Sequence, residues 1–292
     1  MDNIALKKQE ANELRKKRNF SSALPIYREL WQETKDKFDG VGLLSCLRNL
    51  NFFDEAFVLA DELIIKFPDF NWCRLEVVWT NLQGKLEKFN EKSEIDDVVR
   101  EAERIMKLEP EGIAKKKIVF KVLKSAKSVN RWDIVNKWVN KVRPEELSKE
   151  PIKDEKGREG WCDQALWYNY YIKCLLENKE MQKAIELIDQ ILESFPKQKK
   201  FFLRFKAIAY SMQGKLKEAE SLYCSLTEHY SSDWWLLHEH AKVLSDLDKR
   251  DNALKLMCKA AVVNQGKLET MVSLFEDMGS ILKKLGKYEE SR

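Results

Sequence analysis

Apolar residues along the chain recur at three- and four-residue steps rather than in strict alternation. That spacing lays one apolar stripe along a helix, so the predicted elements are amphipathic helices. The stretch QGKLKEAESLYCSL at 213–226 shows a unit: a turn residue, a bulky residue two later, Ala three after that, then apolar residues at helical spacing. The unit returns as RNFSSALPIYREL (18–30), LNFFDEAFVLADELIIKFP (50–68), NKEMQKAIELIDQILESFP (178–196) and DKRDNALKLMCKA (248–260). Its small residue falls at Ala23, Ala56, Ala184, Ala219 and Ala253. The first two lie 33 residues apart and the last three 35 and 34 apart, which marks an internal repeat.

Composition narrows the class. Only 10 Gly and 6 Pro occur in 292 residues, too few for the turns of a sandwich, barrel or doubly wound sheet. Charged residues at 34% and hydrophobic residues at 44% suit long helices joined by short connections.

Preceding each unit, small or apolar residues pair within a first helix: Ala11 with Leu14, Leu44 with Leu47, Ala207 with Tyr210, Ala241 with Leu244, and Gly279 with Leu282. The turn position reads as Asn at 19 and 51 and Gly at 214 and 286. The bulky residue after it is Phe20, Phe53, Trp132, Met181, Leu216 or Tyr288, and Pro68, Pro110 and Pro196 close second helices. This pattern resembles the tetratricopeptide repeat, a helix–turn–helix unit of about 34 residues. The resemblance implies an all-α solenoid of antiparallel helix pairs wound into a right-handed superhelix, with about seven repeats and a partial eighth.

Two units depart from the pattern. In one, KLEKFNEKSE inserts residues near 85–95 and Val98 replaces the small Ala; in the other Val135 takes that place. The expected organisation is four repeats over 1–142, a solvated charged loop over 143–160, and further repeats over 161–292. The closing GKYEES looks like the entrance to a second helix, which predicts a truncated array whose uncapped end is open to homo-oligomerisation.

Chemistry is sparse. Neither GxGxxG nor GxxxxGK[ST] occurs, and there is no HExxH or GxSxG, so no catalytic or cofactor-binding residues are assigned. His238 and His240 project about 200° apart on a helix, and no metal site is expected. The six Cys show no CxxC and read as small buried hydrophobes in a reducing, cytoplasmic setting. No apolar run is long enough to span a membrane.

Charge and aromatics carry the functional reading. Residues 113–143 hold ten Lys/Arg against the single acid Asp133, although the whole chain sums to only +4. Lys117, Lys121, Lys124 and Lys127 stack along one helix side, where like charges disfavour the helix and call for a compensating anion. In the repeat register Lys173, Arg204 and Lys242 join a groove-lining face with Trp72, Trp79 and Trp235, and Asn169 with Lys173 is similar in type to the carboxylate clamps of the family. The expectation is a non-enzymatic protein-interaction scaffold that takes an acidic peptide or partner domain in this groove. The alternatives are nucleic-acid binding through 113–143, led by phosphate contacts, or a sensor or regulatory arm of a larger protein. A bland reading also stands: a basic face neutralised by acids of adjacent repeats.

Overall fold

In the computed structural model of the protein, residues 3–263 and 268–287 are described. They divide into two compact units, Met1–Glu146 and Leu147–Arg292. The first holds α1 (Asn3–Lys16), α2 (Phe20–Thr34), α3 (Lys37–Asn49), α4 (Phe53–Lys66), α5 (Asn71–Gly84), α6 (Ile95–Met106), α7 (Gly112–Ser128) and α8 (Trp132–Val139). The second holds a hairpin of β1 (Pro151–Lys153) and β2 (Glu159–Cys162), then α9 (Asp163–Glu177), α10 (Met181–Ile191), α11 (Lys199–Met212), α12 (Leu216–His229), α13 (Trp234–Asp246), α14 (Arg250–Val263) and α15 (Val272–Lys284). Consecutive helices pack in pairs, so the described residues form seven pairs plus the first helix of another. The expected all-α repeat architecture is what the chain adopts.

One turn builds most pairs. The residue two places before the second helix has a positive φ: Arg18, Asn51, Asn130, Lys179, Gly214 and Asp248. The next backbone N–H then reaches back to the first helix, from Asn19 to Leu14, Phe52 to Leu47, Lys215 to Tyr210 and Lys249 to Leu244, each at 2.9 Å. This left-handed closure satisfies carbonyls that would be orphaned at a helix end. It corrects the first turn: Arg18, not Asn19, holds the left-handed position, while the Asn19 side chain caps α2 by accepting from the Ser22 N–H. After Gly286 the same bond runs from Lys287 to Leu282, and Tyr288 lies outside the described residues.

Packing explains the recurring small residue. Ala23, Ala56, Ala184, Ala219 and Ala253 are all fully buried, and Val98 and Val135 fill the same place in the divergent units. Side chains pack directly onto two glycines of α3. A Cβ on Gly42 would sit 2.3 Å from the Tyr27 ring, and one on Gly40 would meet Trp31 and Leu63 at 2.7 Å.

The third pair lacks the left-handed turn. After Gly84 the chain makes a short 3-10 turn at Leu86–Lys88, buries Leu86 completely, and runs extended at Phe89 before α6.

Two expectations change. The segment 143–160 is not a plain solvated loop, because it contains β1 and the start of β2, paired antiparallel with an irregular register. Trp161 on β2 anchors that hairpin against Phe201 of α11, ring centroids 5.1 Å apart. The cysteines are also not uniformly buried. Cys46, Cys73, Cys162 and Cys174 are; Cys224 and Cys258 are exposed, and all six are free thiols.

Candidate functional site

In the first unit α1, α3, α5 and α7 pack side by side in series, and in the second α9 packs on α11 and α13 on α15, with Arg204 of α11 reaching Glu239 of α13. Six of the predicted residues fall in the first unit (Trp72, Trp79, Lys117, Lys121, Lys124, Lys127) and five in the second (Asn169, Lys173, Arg204, Trp235, Lys242).

In the second unit the face is dominated by internal pairing. Arg204 donates to both carboxylate oxygens of Glu239, at 2.8 and 3.0 Å from Nε. Burial opposes the Arg204 charge, but hydrogen bonding and attraction from Glu239 outweigh it and hold the guanidinium above its ordinary range. Glu239 also accepts from the Tyr223 hydroxyl at 3.1 Å. Lys200 meets Asp233 at 2.8 Å, and Lys242 lies 3.7 Å from Asp277, which also contacts His238 at 2.8 Å. Trp235 stacks on Phe201 (5.9 Å, 9° between planes), and the Arg204 guanidinium sits 5.3 Å over it. Asn169 and Lys173 lie one turn apart on α9, both half-buried.

The first unit begins in the same way. Arg48 bridges Glu76 and Gln83, each at 3.0 Å, and the Arg15 guanidinium covers Trp72 at 4.8 Å, beside Phe38 and Phe70. Toward α7 the pattern alters. Lys117 lies 3.2 Å from Glu87 of the insertion and 5.6 Å from the Trp79 ring. Half-buried Lys121 donates to the Phe89 carbonyl at 2.6 Å. Burial, with Lys124 adding to it and Glu87 opposing, holds the Lys121 amine below its ordinary range. Exposed Lys124 has no carboxylate partner among the described residues. Lys127 is exposed on the last turn of α7.

Lys121 and Lys124 line a pocket of about 530 Å³ between α7 and residues 89–93. Ser93 and Ser125 also line it, and no charge or aromatic pattern in the sequence pointed to them. A different signal was available: the insertion at 85–95 stretches the repeat spacing beside α7, which left extra residues there to be placed against a neighbour.

No protein-family model matches the chain, and no curated protein matches it. A solved structure of Naa15/Naa10 bound to HypK-THB aligns at a TM-score of 0.57 and 14% identity, over 96% of this chain and 39% of that one. The fold is a tetratricopeptide-repeat-like α-solenoid. This TPR-like chain thus spans about two fifths of the length of that structure. The TPR2AB-domain complex of yeast Sti1 with pHSP90 aligns at 0.36 and 12% identity, over 99% of this chain and 98% of that one. BtubC from P. vanneervenii aligns at 0.46 and 14% identity, over 71% and 87%. Among the described residues of the TPR-like array, no group of His, Cys, Asp and Glu is arranged to hold a metal, and no helix is long and apolar enough to cross a membrane.

Proposed function

We infer that the chain is a non-enzymatic protein-interaction scaffold whose α7 face holds an acidic peptide or partner segment. The observation that carries this is the pair Lys121 and Lys124 on α7. Arg48, Arg204 and Lys242 each face a carboxylate of a neighbouring first helix, whereas Lys121 has a backbone carbonyl and Lys124 no ion pair among the described residues. Two neighbouring cations without a carboxylate partner among the described residues attract anionic partners, and Trp79 beside Lys117 offers them apolar contact.

Anisotropy of a labelled glutamate-rich peptide, titrated with the full chain at about 50 and 200 mM salt, tests this reading. Binding is expected to weaken with salt, and to fall by about a hundredfold when Lys117, Lys121, Lys124 and Lys127 are all changed to Glu. A labelled single-stranded oligonucleotide serves as the counter-probe. If it binds more tightly than the peptide, with a steep salt slope, the strip reads phosphodiester backbones and the peptide reading fails.

A further inference from the structure

We propose that the pocket between α7 and residues 89–93 is a phosphate-monoester site that takes a phosphorylated side chain of the partner segment; this rests on the reading of α7 as the surface for an acidic segment. The site is built from two ammonium groups and two hydroxyls with protons to give. Lys121 points one N–H at the Phe89 carbonyl, 2.6 Å away, which leaves two for a ligand. Lys124 brings a second cation that makes no ion pair among the described residues.

The hydroxyls are poised in the same sense. Ser93 Oγ accepts the Asn90 N–H at 2.9 Å and donates to nothing among the described residues. Ser125 Oγ makes no hydrogen bond among them either. Ser128, by contrast, has already committed its proton to the Ser125 carbonyl at 2.7 Å. The acid on the rim is exposed Glu91, which Lys92 next to it offsets.

Charge selects the ligand. A phosphomonoester carries about −1.5 to −2 at neutral pH and presents three strong acceptor oxygens, which two ammonium groups and two hydroxyls complement. Burial of Lys121 beside Lys124 disfavours its charge, and a dianion in the pocket relieves that. A nucleic-acid backbone offers single charges in a row and needs a continuous cationic track. Here Glu87, paired with Lys117 at 3.2 Å, and Glu91 in the pocket lining interrupt such a track.

The test uses the full chain and a fluorescein-labelled acidic peptide with one central serine, unphosphorylated and phosphorylated. The phosphorylated form is expected to bind at least about tenfold more tightly, from one or two added charge-assisted contacts. Ser125→Ala is expected to bring that ratio to within about twofold while circular dichroism and the affinity of the unphosphorylated peptide stay near those of the parent. Lys124→Gln is expected to narrow the ratio as far while weakening both peptides, because Lys124 also faces the acidic segment. Inorganic phosphate is expected to displace the phosphorylated form selectively.

Equal affinity of the two peptides overturns the phosphate site and leaves the acidic-segment reading intact. A preference that survives both substitutions overturns the assignment to this pocket. Failure of both peptides to bind at low salt overturns the acidic-segment reading and the site with it. An oligonucleotide that outcompetes the phosphopeptide, with the same dependence on Lys124, replaces the proposal with phosphodiester binding.

Discussion

On α11 and α13, Lys200, Arg204 and Lys242 each find a carboxylate on the next first helix or just before it, at Asp233, Glu239 and Asp277. On α7, Lys121 finds a backbone carbonyl, and Lys124, at the place that Lys242 holds on α13, finds no acid among the described residues. The same kind of cation therefore does two jobs. Where the residue one repeat onward is acidic it clasps neighbouring helices; on α7 Lys121 instead turns back to the Phe89 carbonyl of the preceding insertion, and Lys124 has no carboxylate partner among the described residues. Charge counted along a single helix does not separate the two cases, because the deciding group sits more than thirty positions away, 35 for Arg204–Glu239 and 32 for Lys121–Phe89.

The largest effect that would sharpen this contrast is in the clasp. Glu239→Ala leaves Arg204 and the Tyr223 hydroxyl largely buried without their shared acceptor. A stability loss of about 2 kcal/mol is expected, read as a lower urea midpoint. A variant as stable as the parent would mean that the clasp is no more structural than the open strip.

Next in size is a pH dependence that belongs to the paired region. His240 is buried, and its Nδ1 lies 3.1 Å from the Thr227 hydroxyl. Burial holds the imidazole below its ordinary range, with Lys249 pushing the same way and Glu220 opposing. The unfolded chain then takes up a proton more readily than the folded one. Stability contributed by the neutral ring is therefore full above about pH 6.5 and lost as pH falls below it, at no more than about 1.4 kcal/mol per pH unit. Thermal unfolding at pH 7.5 and 5.5 should show the drop, and His240→Gln should flatten it. An unchanged slope in that variant would assign the pH response elsewhere.

The smallest effect has the opposite sign. Lys124→Gln relieves repulsion with Lys121 and is expected to stabilise the chain by about 0.3 kcal/mol at low salt, vanishing at high salt. Destabilisation by this substitution would mean that Lys124 is a structural partner after all, and would remove the distinction between the two faces.

Much of the fold was legible because its signals are local. The small residue at Ala23, Ala56, Ala184, Ala219 and Ala253 marks a close helix contact wherever it occurs, and each site is fully buried. The turn was less legible at Arg18 and Lys179, where left-handed backbone is held by residues that give no such hint, since the closing hydrogen bond and not the side chain enforces it. The hairpin at 151–162 was hidden for a related reason. Its flanking sequence is rich in charge and turn residues, and its anchor is one tryptophan whose partner, Phe201, lies forty positions on. In the candidate site the lysines of α7 were visible as a pattern. Ser93, Ser125 and the Phe89 carbonyl were not, because single hydroxyls and carbonyls carry no periodicity.

By itself, then, the sequence determined the helices, their repeat register and the buried small residues, since helical periodicity and close packing act between residues within a few turns of each other. Only the tertiary structure decided which cations are neutralised, that Trp72 lies under Arg15 and Trp235 under Arg204, and that the insertion folds back to make a pocket with α7. Those outcomes depend on which groups the stacked helices bring within about 4 Å across a whole repeat, where electrostatic and hydrogen-bond energies fall off too steeply for sequence spacing to reveal them.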